Sequence, residues 1–207
     1  MAISNKRCIT LTLFDMKKLF VFLFAVFPFV TIHAQEHLVF KGVPIDGTLD
    51  AYVANMEKAG FTYLGDDDGI AVLQGDFAGF RNCTIGVVTL ESMDIVNRIS
   101  VLFDTHGNWS NLYGNYTSLK ELLTKKYGKY SECVERFDGY EPSDDGMRML
   151  CLAHDKCKYY TIWETDKGTI ELDITKGHSY GRNGQVRLSY WDKINTESVQ
   201  ERALEDL

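Results

Sequence analysis

The sequence predicts an α+β fold of two tandem units, each a helix followed by about four antiparallel strands, arranged in two layers. Two segments have the i, i+3, i+4, i+7 apolar spacing of amphipathic helices. The segments after each helix alternate apolar and polar residues with a period of two, as strands do. The order of helix, acidic turn and strands occurs twice along the chain. Because the apolar stripe of a helix covers one face of a sheet, each unit is expected to have two layers.

The first unit, residues 35–107, begins with the strand-like segment HLVFKGVPIDG. A helix is predicted in GTLDAYVANMEKAGF, where Thr48 is a typical N-cap and Gly60 a typical stop. Its apolar stripe consists of Leu49, Tyr52, Val53 and Met56. Three strands are then expected in DDGIAVLQGD, RNCTIGVVTLES and NRISVLF.

The second unit, residues 108–193, follows the linking segment DTHGNWSNLYGNY. Its helix is predicted in TSLKELLTKKYGK, with Ser118 and Glu121 as a capping box and Gly128 as the end. Strands are expected in DDGMRMLCLAHD, DKCKYYTIWETD, TIELDI and GQVRLSYWDK. In TIELDI the apolar and polar residues alternate strictly, which predicts one covered and one solvent-facing side. Residues 194–207 read as a C-terminal helix.

Residues 16–34 have the pattern of a cleavable signal peptide. Lys17 and Lys18 precede an uncharged run of 14 residues, Leu19–Ile32, and the small residue Ala34 stands before Gln35. A helix of that length reaches ~21 Å, which is short of the ~30 Å hydrocarbon core. We therefore expect a secreted or periplasmic protein with no membrane span after cleavage.

Residues 1–15 are unusual for the start of a signal peptide, so Met16 rather than Met1 is the expected initiator and residues 1–34 are expected to be dispensable. The first 34 residues contain four basic residues and one acidic residue. Subtracting these from the 22 basic and 29 acidic residues of the chain leaves 18 and 28, a formal charge of −10. An acidic chain repels phosphate backbones and anionic lipids, so nucleic acid is excluded as an expected partner.

Four cysteines follow the predicted cleavage site: Cys83, Cys133, Cys151 and Cys157. They allow three complete disulfide pairings, between which the sequence does not choose. Their spacing fits no zinc site, the histidines have no ligand spacing, and the contiguous aspartates of GDDDG do not match a calcium loop, in which oxygen ligands alternate. No metal or cofactor is therefore expected. The Asp-Gly pairs at Asp67–Gly69 and Asp144–Gly146 are interpreted as turns.

One segment of the sequence also allows an enzyme interpretation. The segment CLAHDKC places His154 between Cys151 and Cys157, and a thiolate paired with an imidazole is a known nucleophilic arrangement. His154, however, is expected at a hairpin tip, and neighbouring residues of one loop rarely form such a pair. A Cys/His-dependent hydrolase is thus kept only as an alternative.

Aromatic residues point instead to binding. In CKYYTIWETD, Tyr159 and Trp163 share one strand face, and Trp191 follows in LSYW. Since Trp and Tyr are enriched at interface hot spots, these three residues are predicted to form a contact surface. The alternative is that they pack the junction between the two units.

The phrases VPIDGTLDAYV, LLTKKYGKYSECVERF, CKYYTIWETDKGTIEL and YWDKIN resemble a family of uncharacterised secreted proteins of gut Bacteroidales, over most of residues 37–207. The tandem helix-plus-four-strand pattern resembles the fold of β-lactamase-inhibitor-protein-like and PepSY-like exported proteins. The first resemblance implies export, and the second implies a fold but neither a partner nor an activity. The sequence therefore predicts an exported, non-enzymatic binding module for a protein or small ligand, with a structural envelope component as a further alternative.

Overall fold

Four helices and ten strands make up the protein in a computed structural model that describes residues 36–67, 69–90, 93–177 and 182–205. The helices are α1 Leu49–Lys58, α2 Trp109–Tyr127, α3 Asp145–Ala153 and α4 Lys193–Glu205. The strands are β1 Val39–Phe40, β2 Val43–Pro44, β3 Thr62–Asp67, β4 Ile70–Phe77, β5 Phe80–Leu90, β6 Met93–Leu102, β7 Glu132–Phe137, β8 Cys157–Glu164, β9 Gly168–Lys176 and β10 Gly184–Asp192.

Eight strands form one antiparallel sheet in the order β3-β4-β5-β6-β10-β9-β8-β7, while β1 and β2 pair with each other. The two halves of the chain meet where β6 pairs with β10, Ser100 lying opposite Ser189. Each half thus contributes four neighbouring strands to a common sheet, with α1 in the first half and α2 and α3 in the second. The α+β fold with an antiparallel sheet is confirmed, whereas descent of the two halves from a duplication stays a prediction.

The core lies between the sheet and the helices on one of its faces. Helix α1 contributes Tyr52 and Met56, and α2 contributes Leu112, Tyr116 and Leu119, all at most 1% exposed. From the sheet, the alternate residues of the central strands point into the same cluster, among them Ile85, Ile99, Leu172 and Leu188. Helix α3 adds Met149 and Leu152 to it.

Several predicted boundaries are confirmed. The side chain of Thr48 accepts from the backbone N–H of Ala51 at the start of α1, and Gly128 ends α2. Gly69 lies in the turn between β3 and β4 with a φ of 75°, a conformation that favours glycine. The Asp-Gly turn predicted there is therefore present.

The strand predicted in DDGMRMLCLAHD is wrong, because this segment forms helix α3. Asp144 is an N-cap rather than a turn residue, since its carboxylate accepts from the backbone N–H of Met147 at 2.9 Å. Met149 and Leu152, three residues apart, then point into the core as a helical stripe. His154 caps the C-terminus of α3, so its predicted place at a hairpin tip is also wrong.

Helix α2 begins nine residues before the predicted capping box, and most of the predicted linker belongs to it. Asn108 is the N-cap, and its side chain accepts from the backbone N–H of Asn111 at 2.9 Å. Trp109, Leu112 and Tyr116 extend the buried stripe through Gly114, whose low helix propensity the packing overrides. Ser118 therefore lies inside the helix.

Two strands were missed, β3 and β7, and both are edges of the sheet. Their residues are mostly exposed or half-buried, so neither segment shows the apolar alternation that reveals a central strand. The C-terminal helix was predicted correctly and begins at Lys193.

The predicted signal peptide and the choice between Met1 and Met16 lie outside the described residues. The described residues belong to one compact unit, and the first of them is Glu36. Within the described ranges, no helix combines the length and the apolar character needed to cross a membrane.

Candidate functional site

The face of the sheet opposite α1, α2 and α3 is the candidate site, and we call it the open face. Strand β9 shows how it arises: Ile170, Leu172 and Ile174 are buried beneath the helices, and Glu171 and Asp173 between them are partly exposed. The solvent-facing side that the sequence predicted for this strand is confirmed.

Residues that pair directly across antiparallel strands point to the same face, so the pairing defines the open face as three rows. The central row is Val72, Gly86, Ser100, Ser189, Glu171 and Ile162. The row on one side is Ile70, Val88, Arg98, Trp191, Thr169 and Glu164. The row on the other side is Gln74, Thr84, Leu102, Arg187, Asp173 and Tyr160. Within these rows β4 and β5 carry the apolar residues Ile70, Val72 and Val88, and β6, β10 and β9 carry the charged residues Arg98, Arg187, Glu171 and Asp173.

A bidentate ion pair stands at the centre of the charged part. Arg187 on β10 donates from Nε to one carboxylate oxygen of Asp173 at 3.0 Å and from Nη2 to the other at 2.8 Å. Asp173 is 13% exposed, and this burial raises the pKa of its carboxyl group, although Arg187 acts in the opposite direction. The pair holds the Arg187 side chain flat against strand β9.

Arg98 occupies a different environment. Its guanidinium carbon lies 4.4 Å from the ring centroid of Trp191, in a cation–π contact on the open face. Its Nε is buried and has no hydrogen-bond partner among the described residues. Burial lowers the pKa of the Arg98 guanidinium, and the nearby Arg187 lowers it further. Arg98 is therefore a cation with hydrogen-bonding capacity that the described residues leave partly unused.

Glu171 lies beside these two arginines in the central row. Burial raises the pKa of its carboxyl group, and the neighbouring Asp173 raises it further, while Arg187 and Arg98 act against both. Two cationic side chains on β6 and β10 and two anionic side chains on β9 give the centre of the open face a mixed rather than a single-sign character.

A groove of ≈ 630 Å³ follows the half of the open face formed by β4, β5, β6 and β10. Apolar residues of β4 and β5 line one side, namely Ile70, Val72 and Val88, and Arg98 and Arg187 line the other. Asp67 and Asp104 stand at its rim. The groove thus offers an apolar strip next to two cationic groups.

The three aromatic residues that the sequence singled out do not form one surface. Trp163 is 1% exposed and its indole Nε1 donates to the backbone oxygen of Gly128 at 3.2 Å, so it belongs to the core. Tyr159 is half-buried among aromatic rings under α2, 4.9 Å from Trp109 between centroids. Of the three, only Trp191 lies on the open face, opposite Arg98, where it lines a pocket with Thr196 and Glu197 of α4.

The four cysteines are free thiols in the structure, and two of them, Cys83 and Cys151, are buried. Burial raises the pKa of the Cys157 thiol to about 12, with Cys151 as a further cause, which disfavours the thiolate that a nucleophile needs. Among the described residues, the side chain of His154 forms no hydrogen bond with either sulfur. No group of three or more His, Cys, Asp or Glu side chains in those residues has the geometry of a metal site.

Sequence reasoning missed Arg98 and Arg187. Both lie in strands that it identified, NRISVLF and GQVRLSYWDK, at positions that alternate with core residues. A search for arginine on the polar face of those strands would have found them. Their meeting across β6 and β10 was not predictable, since it depends on how the two halves join.

No protein-family model matches this chain, and no curated protein or solved structure is significantly similar to it.

Proposed function

We propose that this protein is an exported, non-enzymatic binding protein that holds a partner protein on the open face of its sheet. The observation that carries the proposal is the Arg98–Trp191 contact beside an apolar strip that α1, α2 and α3 leave uncovered. Arg and Trp are the residue types most enriched at interface hot spots. The half-buried Arg98 guanidinium forms no salt bridge with a carboxylate of the described residues, so it is suited to a carboxylate from outside the chain.

The dimensions of the open face favour a protein over a small ligand. Eight strands give seven spacings of ~4.8 Å, or a width of ~34 Å. The three rows span five residues along a strand, or ~17 Å, so the face covers ~570 Å². A stable protein interface buries ~800 Å² on each partner. The expected partner is therefore a protein segment with a carboxylate for Arg98 and apolar side chains for Ile70, Val72 and Val88.

Export is part of the proposal and rests on the segment Met16–Ala34. The apolar run behind Lys17 and Lys18 supports it, as does the small residue Ala34 before Gln35. Amino-terminal sequencing of the protein recovered from its source cells is expected to begin at Gln35. A form that keeps residues 16–34 would contradict export by cleavage.

The experiment on binding compares the full chain, tagged at its C-terminus and expressed in its source cells, with three variants. Arg98→Ala and Trp191→Ala alter the open face, and Leu122→Ala alters an exposed apolar residue of α2 as a matched control. We expect a captured protein that is retained by wild type and by the Leu122 variant. Its recovery should fall at least tenfold with either open-face variant.

Equal capture by all four chains would contradict the open-face assignment and would favour the envelope-component alternative. Recovery of a bound small molecule without any bound protein would contradict the proposal that the partner is a protein. The hydrolase alternative needs a reactive Cys157 or Cys151, and the raised pKa of Cys157 and the burial of Cys151 both count against it.

A further inference from the structure

The fold decides which cysteines are able to meet, a question that the sequence leaves open. Cys83 lies on β5 and Cys133 on β7, and five strand spacings separate β5 from β7 in the sheet. At ~4.8 Å each, the separation is ~24 Å. A disulfide requires Cα atoms within ~7 Å of each other, so these two cysteines do not pair.

Cys83 is also remote from Cys157. Strand β8, which begins with Cys157, lies four spacings from β5, or ~19 Å. Cys83 therefore pairs with neither Cys133 nor Cys157, which excludes two of the three complete pairings. The third would join Cys83 to Cys151 on α3, a helix that packs on β8, β9 and β10, and would also require a bond between Cys133 and Cys157.

Cys133 and Cys157 lie on neighbouring strands but at different positions along them. Cys133 is opposite Thr161, whereas Cys157 is opposite Phe137. Four residues along a strand correspond to ~13 Å, which is again too far for a disulfide.

Cys151 and Cys157 remain, and the chain between them folds back on itself. The backbone N–H of Lys156 donates to the carbonyl oxygen of Cys151 at 2.8 Å, and Asp155 has a φ of 56° at this turn. Cys157 is the next residue and opens β8. It pairs with the buried Phe137, so its side chain points to the helix-covered face, where Cys151 is 6% exposed in the same core cluster.

We propose that Cys151 and Cys157 form a single disulfide between the end of α3 and the start of β8, and that Cys83 and Cys133 remain thiols. The oxidant is a low-molecular-weight disulfide. While the chain is still unfolded and both sulfurs are accessible, one cysteine thiolate attacks it, forms a mixed disulfide and releases one small thiol. The second cysteine thiolate then attacks the protein sulfur of the mixed disulfide and releases the second small thiol. Two protein thiols are oxidised and one small disulfide is reduced to two thiols.

The sequence provides a sharp readout for this proposal. Trypsin cuts after Arg148, Lys156 and Lys158, so it separates the two cysteines. The disulfide would join the peptide Met149–Lys156 to the dipeptide Cys157–Lys158. The full chain, with Cys8→Ser to remove the upstream thiol, is incubated with oxidised glutathione both as the native protein and during refolding from urea. Free thiols are then alkylated under denaturing conditions and the chain is digested without reductant.

We expect the linked peptide pair, lighter by two hydrogen atoms than its separate parts, with Cys83 and Cys133 alkylated. The linked pair should persist in Cys83→Ser and vanish in Cys151→Ser. Alkylation of both Cys151 and Cys157 after refolding would overturn the proposal. So would stable glutathione adducts on Cys157, or any peptide linked through Cys83 or Cys133. The result does not depend on the partner-binding proposal, which is tested through Arg98 and Trp191.

Discussion

The hydroxyl groups of Tyr116 and Thr161 lie 2.6 Å apart and join α2 to β8 inside the core. Both residues are 0% exposed. The Thr161 hydroxyl also donates to the sulfur of Cys133 at 3.5 Å, a sulfur that accepts from the Lys120 ammonium at 3.1 Å. A polar chain therefore runs from the middle of the helix to the edge strand β7.

Replacing Thr161 with Val should destabilise the protein by about 1–3 kcal/mol, because the buried Tyr116 hydroxyl loses its partner. The double variant Tyr116→Phe with Thr161→Val removes both hydroxyl groups. Its loss of unfolding free energy should be smaller than the sum of the losses of the two single variants. Urea unfolding of the four chains measures this. Strict additivity would show that the hydrogen bond contributes nothing.

Asp192 should be a second stability hotspot, since its fully buried carboxylate ties both ends of the compact unit together. It accepts from the backbone N–H of Leu38 at 2.8 Å and from that of Asn195 at 2.9 Å. Asp192→Asn presents an amide NH₂ to at least one of these donors, which should cost about 2–3 kcal/mol.

The control for Asp192 is Glu197→Gln, an exposed residue of α4 whose change should leave the free energy of unfolding within about 0.5 kcal/mol. Chemical denaturation monitored by tryptophan fluorescence checks both variants. Equal free energies of unfolding for the two variants would show that Asp192 is not a stability hotspot.

Glu171 should change how stability depends on pH. Burial raises the pKa of its carboxyl group in the folded state above the ordinary value of the unfolded chain. As the pH falls, the folded protein therefore binds this proton at a higher pH than the unfolded chain does. The ionised carboxylate destabilises the folded state, and protonation removes that destabilisation. The unfolding free energy of wild type minus that of Glu171→Gln should rise as the pH falls from about 7 to about 4.

This difference isolates Glu171 because every other titrating group is shared by the two chains. The opposite trend would show that Arg98 and Arg187 outweigh burial and stabilise the carboxylate. Urea unfolding at each pH provides the measurement.

The two cysteines that we expect to remain thiols should differ in reactivity. Cys133 is half-buried, whereas Cys83 is 2% exposed and burial raises the pKa of its thiol. Iodoacetamide should therefore label Cys133 at least tenfold faster than Cys83 in the native protein. Peptide mapping over a time course measures the two rates, and the denatured chain, in which they should converge, is the control.

The helix and central-strand predictions succeeded where burial imposes a period on the sequence. The stripe of α1 and the alternation in TIELDI are each caused by one covered face, so they can be recognised from residue order. The segment DDGMRMLCLAHD was predicted as a strand because a short helix and a short strand with few buried residues have similar sequence patterns. Its Asp144 is used equally well by a turn and by an N-cap.

The predicted contact surface failed for a related reason. Tyr159 and Trp163 do share a strand face, as their spacing implies, but spacing does not tell which face the helix covers. Helix α2 covers theirs, and only Trp191 was left on the open face. The two arginines that define the candidate site escaped notice because they lie 89 residues apart in the sequence, Arg98 on β6 and Arg187 on β10.

By itself, then, the sequence determined the fold class, the two main amphipathic helices and the alternation of most central strands, since each follows from local burial. It also showed that four cysteines follow Ala34, without their partners. The tertiary structure decided what depends on long-range pairing: that β6 joins β10, that Arg98 meets Trp191, and that Cys83 lies out of reach of Cys133 and Cys157. Strand order brings residues together across the chain, and no local period in the sequence encodes that order.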